Sequence, residues 1–533
     1  MRIFIALIIS GLMLCNDIAI NIKSELDVIN ERVVNNSIKD DQYGYALQTF
    51  LIAIDENQEI NIDFSINSSR VIDYADKIET TSLVGYTKHI AYSADGDQIS
   101  YYISEPMYMR GVRIVQVAVS PYKYIDEDRR LILYDDLSLA INVQNSNNYI
   151  ESINSKPISD DFNVILSSLV SNYEYQSRSS DVSSCILFIC GGNSLDHPSV
   201  QDLIDWRKQL GYEVHTAETS QIGSTTTAIK NYIEDAYHNW SNPPEYIVLI
   251  GDTGGSYAIP YFSTTWGSSD YDYTLIEGND LLPEMIVGRI SAEGSSDLSN
   301  IINKTLIYEK ASYIDFTGTD WYESAALNAD PSSSGNSTII TNEYIEEILD
   351  LNGFENISTN YGNGNYSSWM QSQLSDGILY FNYRGYIGTS GFGSGNINNA
   401  NNGYMNPFAT FITCSTGDFN YTSLSEDFIR AGSATNPKGA VAAVGTATSS
   451  THTAPNNIVQ MGIYDGIFSK RLKTAGASLV NAKITLFDTY IVSASGTVDN
   501  FTHWNNLMGD PVLSLWTDTP ESMQVSHNSQ INW

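Results

Sequence analysis

Two apolar segments decide the fold class: Cys-Ile-Leu-Phe-Ile-Cys at residues 185–190 and Glu-Tyr-Ile-Val-Leu-Ile-Gly-Asp at residues 245–252. Each contains a continuous run of Ile, Leu, Val or Phe, which is typical of a strand that is buried on both faces. Helical patterns near 198–210 and 225–240 separate the two runs. Strands that alternate with helices predict a doubly wound α/β domain with a mostly parallel sheet, over residues 185–517.

Four polar residues follow predicted strands of this domain. The further predicted strands are 324–330, 377–384, 407–414 and 439–446, with helices near 296–311, 339–352, 424–432 and 473–493. In such sheets ligands bind in the crevice beyond the carboxyl ends of the strands. The residues at or just after these ends are Asp330, Tyr386, Cys414 and His452. The topology therefore predicts that these four side chains face one cleft.

The N-terminal part of the chain has a different pattern. Short alternating strands, such as Val-Arg-Ile-Val-Gln-Val-Ala-Val at 112–119, predict an all-β module over residues 22–150. The polar segment 151–184 is predicted to be a linker. Arg178 within it is a candidate processing site, because exposed loops of small polar residues are preferred cleavage sites; an uncut tether is the alternative. Residues 518–533 predict the start of a truncated β module.

The first residues predict a secretory signal. A basic start, Met-Arg, precedes the apolar run 3–14, which is too short to span a bilayer. Cys15 makes a lipoprotein signal the alternative, but Leu14 is bulky where lipidation needs a small residue. We therefore expect residues 1–20 to be a signal peptide. The protein is then secreted or displayed at the cell surface, and it has no transmembrane span.

Charge and composition limit the function classes. The chain of 533 residues carries a net charge of −35, from 62 acidic and 27 basic side chains. Such a charge repels the phosphate backbone of nucleic acids, so we expect no nucleic-acid partner. Hydrophobic residues at 42% and aromatic residues at 11% supply enough apolar material for buried cores and argue against a disordered chain.

Cys414 is the cysteine that is available for chemistry. Cys185 and Cys190 lie five residues apart on one predicted strand, which places them on opposite faces, so we expect two unpaired, buried thiols. Cys414 stands in Phe-Ile-Thr-Cys-Ser-Thr-Gly-Asp-Phe at 411–419, where a buried strand gives way to a tight polar loop. That geometry exposes a thiol and surrounds it with backbone N–H groups.

The 411–419 segment resembles the nucleophile motif of the gingipain cysteine peptidases, in which a strand-end cysteine is followed by Gly-Asp-Phe. The resemblance extends in order to the segments 205–211, 248–252, 278–280, 287–289, 438–443 and 509–511. It implies a caspase-like fold, with Cys414 as the nucleophile that hydrolyses peptide bonds of protein or peptide substrates. The all-β module is similar to the family's propeptide, and residues 518–533 are similar to the start of its immunoglobulin-like domain.

The chain departs from this family at the catalytic histidine. The family motif is Asn-Tyr-x-Gly-His-Gly, whereas residues 382–387 read Asn-Tyr-Arg-Gly-Tyr-Ile, so Tyr386 stands at the histidine position. A tyrosine hydroxyl is a poor general base near neutral pH. His452, where the family has a tryptophan beside the cysteine, is the best-placed substitute. We hypothesise that it favours the thiolate of Cys414 or carries its proton.

A catalytically inactive relative is the alternative to an active peptidase. Such a protein would serve as a surface binding or assembly module, and His452 would then be a polar loop residue. The loss of the family histidine at Tyr386 motivates this alternative.

The resemblance also implies roles for other residues. Asp330 corresponds, after a one-residue shift, to the carboxylate that orients the histidine. The backbone N–H of Cys414 and an amide around Gly385–Gly388 would form the oxyanion hole. Thr338 stands where the arginine-cleaving members have an aspartate at the floor of the specificity pocket, so no preference for arginine follows.

Calcium is a structural companion in the family. Carboxylate oxygens that could bind it come from one acidic stretch, namely Asp270, Asp272, Glu277 and Asp280. A solvated acidic loop is the alternative for these residues. No other cofactor is implied.

Overall fold

The computed structural model describes residues 17–23, 47–55, 58–73, 85–125, 130–145, 156–175, 183–490 and 496–521. Most of the predicted signal peptide lies outside the described residues, as do Cys15, Arg178 and the segment 522–533. Residues 17–20 form part of a strand that pairs within the all-β module. The first strand of the module thus begins before residue 22, and the signal segment 1–20 stays a prediction.

Within the described residues, the N-terminal module consists of two antiparallel sheets. Its strands are β1 (Asp17–Lys23), β2 (Gln48–Ala53), β3 (Gln58–Asp73), β4 (Tyr86–Tyr92), β5 (Gln98–Ser104), β6 (Met107–Met109), β7 (Val112–Val119), β8 (Tyr122–Ile125) and β9 (Arg130–Asn145). One sheet has the order β1-β9-β3 with β8 on β9, and the other β2-β7-β5-β4 with β6 on β7. Ile62, Val117 and Ile141 belong to the buried core that the two sheets share. The predicted all-β module is confirmed.

A helix lies within the segment that the sequence predicts as a linker. Helix α1 (Asp160–Leu169) begins after Ser159, whose hydroxyl accepts a hydrogen bond from the Phe162 N–H. Phe162 and Ile165 are completely buried in the core of the α/β domain. Part of the 151–184 segment is therefore packed structure, because one short apolar stripe at helical spacing fits that core.

The α/β domain begins at Cys185. Its strands are β10 (Cys185–Cys190), β11 (Glu213–Glu218), β12 (Tyr246–Ile250), β13 (Phe262–Thr264), β14 (Gly267–Ser269), β15 (Ile286–Ile290), β16 (Ser324–Ala329), β17 (Asn356–Tyr361), β18 (Tyr380–Arg384), β19 (Phe408–Phe411), β20 (Gly432–Ser433), β21 (Asn436–Pro437), β22 (Ala442–Thr446) and β23 (Asn505–Met508). Its helices are α2 (Pro198–Gln209), α3 (Thr219–Ile222), α4 (Thr226–Asn239), α5 (Ser295–Glu309), α6 (Ile314–Thr317), α7 (Pro331–Ser334), α8 (Ser337–Leu351), α9 (Tyr366–Asp376), α10 (Ser394–Asn399), α11 (Leu424–Arg430), α12 (Thr453–Tyr464), α13 (Ala475–Thr489) and α14 (Thr497–Trp504). Among the described residues, no helix has the length and apolarity that a membrane span needs.

Ten of these strands form one sheet, in the order β11-β10-β12-β15-β23-β22-β19-β18-β16-β17. The pairs on each side of β23 are parallel. Strand β23 is itself parallel to β15 and antiparallel to β22, so the strands on its two sides run in opposite directions. The predicted mostly parallel α/β sheet is confirmed, with this one reversal inside it.

Strand β10 shows why the continuous apolar runs predicted this architecture. Ile186 and Phe188 pack with Val200 of α2 on one face, whereas Leu187 packs with Ile229 of α4 on the other. A strand covered by helices on both faces cannot alternate apolar with polar residues. The apolar run at 185–190 follows directly from this burial.

A buried ion-pair cluster fixes α2 against α5 and the end of the domain. The Arg207 guanidinium donates to both carboxylate oxygens of Glu309, at 3.0 and 2.8 Å, and to Asp510 Oδ2 at 2.8 Å. All three side chains are at most 3% exposed. Removing one member of such a cluster leaves charges buried without a partner.

Replacing Arg207 by Met should therefore lower the free energy of unfolding by about 3–5 kcal/mol. Lys208→Met changes an exposed neighbour on the same helix and should shift it by less than about 0.5 kcal/mol. Urea unfolding followed by tryptophan fluorescence measures both effects. Equal destabilisation by the two variants would contradict this account of the cluster.

Candidate active site

Four neighbouring parallel strands bring the predicted site residues to one edge of the sheet. Asp330 follows β16, Tyr386 lies two residues after β18, Cys414 lies three residues after β19, and His452 lies beyond β22. These strands are adjacent in the order β22-β19-β18-β16, and all of them are parallel. The loops that carry the four residues therefore leave the same edge, as the sequence predicts.

The loop at Cys414 is held by hydrogen bonds to the end of β22. The Ser415 N–H donates to Thr448 O at 2.8 Å, and the Thr416 N–H donates to Thr446 O at 3.0 Å. Ser415 has a φ of +58°, in the left-handed region that a non-glycine residue rarely adopts. The chain thus turns sharply at the residue after Cys414.

The glycine after this turn allows the two strand ends to approach each other. A Cβ atom on Gly417 would lie 2.5 Å from the carbonyl carbon of Gly445, at the end of β22. The backbones can be this close only because neither residue has a side chain. Gly417 of the 411–419 motif is thus required by packing.

The Cys414 thiol is 7% exposed and contacts a hydroxyl. Its Sγ lies 2.8 Å from Oγ1 of Thr451, the residue before His452. Either atom can donate in this hydrogen bond when the thiol is protonated, whereas only the hydroxyl can donate to a thiolate. Thr451 is therefore placed to stabilise the thiolate.

His452 caps the start of helix α12. Its Nδ1 accepts a hydrogen bond from the Ala454 N–H at 3.2 Å, so the neutral ring carries its proton on Nε2. Burial lowers the pKa of His452 below 6.5, which favours the neutral ring at pH 7. The Nδ1 lone pair that would accept a proton is thus occupied by the helix cap.

Asp330 is bound by two serines. Its Oδ1 accepts from the Ser332 N–H at 3.0 Å and its Oδ2 from the Ser390 hydroxyl at 2.6 Å. Ser390 also lies 2.8 Å from the Tyr383 hydroxyl. Burial raises the pKa of Asp330, but the hydrogen bonds from Ser332 and Ser390 outweigh it and leave the pKa below 3.8. Asp330 is therefore an ionised residue that holds the loop after β18.

Two backbone N–H groups at this edge lack an acceptor among the described residues. They belong to Cys414 and Gly385, while the Gly385 carbonyl accepts from the Thr413 hydroxyl at 3.0 Å. Free N–H groups beside a thiol are the donors that a developing oxyanion needs.

Sequence comparisons identify the family of the chain. The family model of Peptidase family C25 matches residues 183–516, and the model of the C25 propeptide matches residues 55–180. The chain belongs to peptidase family C25. The predicted gingipain-like family and the propeptide-like module are thereby confirmed.

Gingipains are the relatives of this C25 chain. Gingipain R1 of Porphyromonas gingivalis is 26% identical over 455 residues, which are 81% of this chain and 44% of that protein. Lys-gingipain of the same species is 25% identical over 240 residues, which are 43% of this chain and 14% of the relative. The chain thus spans less than half the length of either protein.

A solved structure supports the caspase-like fold. The crystal structure of the Arg-specific cysteine proteinase gingipain R matches this C25 chain with a TM-score of 0.57 at 25% identity. The match covers 66% of this chain and 82% of that structure. The predicted fold is confirmed.

Tyr386 lies at the surface of this C25 chain. Its side chain is 52% exposed, and its carbonyl lies 3.4 Å from the Tyr383 hydroxyl. Thr389 and Ser390, three and four residues further on, have φ values of +45° and +51°. The loop that follows the 382–387 motif therefore takes a strained, left-handed turn, which Asp330 stabilises through Ser390.

Thr338 lies in the first turn of α8. Its side chain is fully buried and its hydroxyl donates to Gly335 O at 2.9 Å. The loop between Asp330 and α8 thus brings Thr338 under the same edge of the sheet. Its assignment to the specificity pocket stays a prediction.

The four acidic residues proposed for calcium contact separate protein groups. Both Asp270 oxygens accept from Arg289, and Asp272 lies 3.6 Å from His503. The other two, Glu277 and Asp280, accept from backbone N–H groups of the all-β module. As placed, they do not form one ligand set, and the calcium site stays a prediction.

Within the described residues, a different trio has its ligand atoms within 4.8 Å of one another: Cys185, Glu213 and His215. His215 Nε2 lies 2.7 Å from the Glu213 carboxylate, and Asn242 donates to the other carboxylate oxygen at 2.7 Å. These partners satisfy the exposed Glu213 and the half-buried His215 without an ion. The trio lies at the amino ends of β10 and β11, and at least four other strands of the sheet separate these from β19, which leads to Cys414.

Sequence reasoning missed three residues that contact the site. Thr451 touches the thiol, Ser390 binds Asp330, and Arg384 lies beneath the Cys414 loop. Hydroxyl residues in polar loops give no signal, because their partners depend on the loop conformation. Arg384 does have a signal in the sequence, because it is a cation at the end of an otherwise uncharged strand.

Replacing Thr451 by Val should slow the alkylation of Cys414 by iodoacetamide at pH 7 by roughly tenfold, because a hydrogen bond to a charged group is worth about 1.5–3 kcal/mol. Ser449→Ala changes an exposed hydroxyl in the same loop and should leave the rate unchanged. Peptide mapping by mass spectrometry gives the rate at Cys414. An unchanged rate in Thr451→Val would show that the contact does not support the thiolate.

Asp330→Asn should lower the melting temperature at pH 7, and the difference from wild type should shrink as the pH falls below 3.8. A carboxyl with a depressed pKa adds stability that is present above 3.8 and lost as the pH falls below it. Thermal unfolding between pH 3 and pH 7 by circular dichroism checks this. The exposed control Asp350→Asn should show no such trend, and a constant offset in Asp330→Asn would disprove the role of its charge.

Proposed function

We propose that this C25 chain is a secreted cysteine-type endopeptidase with Cys414 as its nucleophile. One observation carries the proposal: a free thiol follows strand β19, and its own backbone N–H and that of Gly385 on the neighbouring loop have no acceptor within the described residues. Membership of the peptidase family supports protein or peptide substrates. The basic start and the apolar run 3–14 support export.

The arrangement supports acyl transfer through a thioester. The Cys414 thiolate attacks the carbonyl carbon of the peptide bond, so that a C–S bond forms and the carbonyl oxygen becomes an oxyanion. The N–H groups of Cys414 and Gly385 donate to that oxyanion. The C–N bond then breaks, the amine leaves with a proton, and water hydrolyses the thioester to regenerate the thiol.

His452 is the proposed proton carrier. It would take up the proton at Nδ1, which now accepts the Ala454 N–H. The ring must therefore release the start of α12 before it acts as a base, so the proposed site works after a local change at the helix cap. Asp330 supports the site by holding the loop of Tyr386 and Ser390.

Thr338 is the proposed specificity residue. It brings no charge to the pocket, whereas a basic substrate side chain would need an acidic partner there. We therefore propose that the enzyme does not select for arginine.

Cys414→Ala should abolish the hydrolysis of a mixed peptide library by the full chain under reducing conditions. Cys185→Ala, which removes a thiol that is also buried but lies on β10, next to the edge strand β11, should retain it. His452→Ala should lower kcat by roughly 100-fold or more, since a positioned acid–base group contributes about that factor. Mass spectrometry of the digests measures all three.

Cleavage that survives in Cys414→Ala would refute the proposed nucleophile. A wild-type chain that cleaves no peptide, although it is folded and alkylated at Cys414, would instead support the inactive binding module. Unchanged kcat in His452→Ala would remove His452 from the mechanism while leaving Cys414 in place.

A further inference from the structure

Arg384 is a buried cation directly beneath the Cys414 loop. Its side chain is 1% exposed, at the end of strand β18. The guanidinium donates to the carbonyl oxygen of Ile412, two residues before Cys414, and to Thr453 O at 3.3 Å, one residue after His452. It also donates twice to Asn457 Oδ1, at 3.0 and 2.6 Å. One side chain therefore joins the nucleophile loop to the start of α12.

The acceptors of Arg384 are all neutral, which distinguishes it from the other buried arginines. Four arginines of the described chain are at most 1% exposed. Arg110, Arg207 and Arg289 each have a carboxylate within 4 Å, at 3.5, 2.8 and 2.6 Å. Within the described residues, Arg384 has no carboxylate at that distance. A buried charge is costly unless it is compensated, so this guanidinium lacks an anion.

The Cys414 thiol, two residues beyond the Ile412 carbonyl that Arg384 binds, is the group that we assign as that anion. Burial lowers the pKa of Arg384 to about 10, and the negative charges of Tyr383 and Cys414, when ionised, act in the opposite direction. Since the interaction between two charges is mutual, a cation that gains from a thiolate also stabilises it. The hydrogen bond to Ile412 O fixes the guanidinium at the foot of the Cys414 loop.

Among the residues that the structure describes, no other group around the thiol supplies a positive charge at neutral pH. The titratable side chains on the surrounding elements are Asp330, Tyr383, Tyr386, Asp418, Tyr421 and His452. Asp330 binds Ser332 and Ser390, while Asp418 binds Ser268 and Asn420. The His452 ring is neutral, as described above.

We propose that Arg384 is the positioning residue that favours the Cys414 thiolate, in place of the imidazolium that the histidine of a cysteine–histidine dyad provides. The catalytic role of Arg384 rests on the proposed function. The effect of Arg384 on the Cys414 thiol can be measured without any substrate. Arg384 does not touch the reacting atoms, and it acts through the charge and the shape of the Cys414 loop. A fixed cation holds the thiolate without titrating near neutral pH, because arginine stays protonated there.

The pH profile of Cys414 alkylation by iodoacetamide tests this role. In Arg384→Met, the midpoint of the profile should move up by about one pH unit, because an opposite charge nearby shifts the ionisation of a group by that order. The plateau rate at high pH should stay unchanged, since the thiol then ionises without help. Arg471→Met removes an exposed cation of the same domain and should leave the midpoint in place.

A pair of milder variants separates the charge from the shape of the side chain. Arg384→Lys keeps the charge and Arg384→Gln removes it, and both lose the guanidinium fork. The midpoint of Arg384→Lys should stay close to that of the wild type, whereas the midpoint of Arg384→Gln should move up as it does in Arg384→Met. This comparison decides the question if Arg384→Met fails to fold, which circular dichroism reports.

Equal midpoints in the Lys and Gln variants would overturn the proposal, since the charge would then have no effect on the thiol. The result is independent of peptide hydrolysis. A shifted midpoint in a chain that cleaves no peptide would refute the proposed peptidase while supporting the role of Arg384. If the wild type hydrolyses peptides and the midpoint does not shift in the Arg384 variants, the result would support the proposed peptidase and refute the role of Arg384.

Discussion

The parallel pairing of β16, β18, β19 and β22 is the constraint on which the candidate site depends. Their register aligns Ala329 with Arg384, Tyr383 with Phe411, and Phe411 with Gly445. The loops after these strands therefore emerge side by side, although they are far apart in the sequence. A slip of one residue would turn a whole strand's side chains to the opposite face and separate the thiol from its neighbours.

The candidate site of this C25 chain keeps a strand-end cysteine and lacks the family histidine. The thiol, the sharp turn after it and the free N–H groups are in place, whereas the family histidine position holds an exposed tyrosine. His452 is close in sequence to the thiol's partner Thr451, but its Nδ1 lone pair belongs to a helix cap. The buried guanidinium of Arg384 is the charge that remains, and it links both loops.

Much of this arrangement follows from the sequence, because apolar runs identify buried strands and ligands bind beyond their carboxyl ends. That reasoning placed Asp330, Tyr386, Cys414 and His452 at one edge. It missed helix α1, whose apolar stripe is short, and the reversal at β23, which no local pattern encodes. It also missed the contacts of Thr451 and Ser390, since these depend on left-handed turns at Ser415 and Ser390 that their own residue types do not favour. The strand-end position of Cys414 could be predicted, and its hydrogen-bond partners could not.

The central claim is that Cys414 performs the chemistry of a peptidase. The most direct test treats the full chain with a mixture of tripeptidyl chloromethyl ketones that carry acidic, aromatic, aliphatic and basic terminal side chains. Peptide mapping then locates the adduct while hydrolysis of a peptide library is followed in the same sample. The account predicts a single adduct on Cys414, with hydrolysis lost in proportion to its formation. Hydrolysis that continues after Cys414 is fully labelled would contradict it.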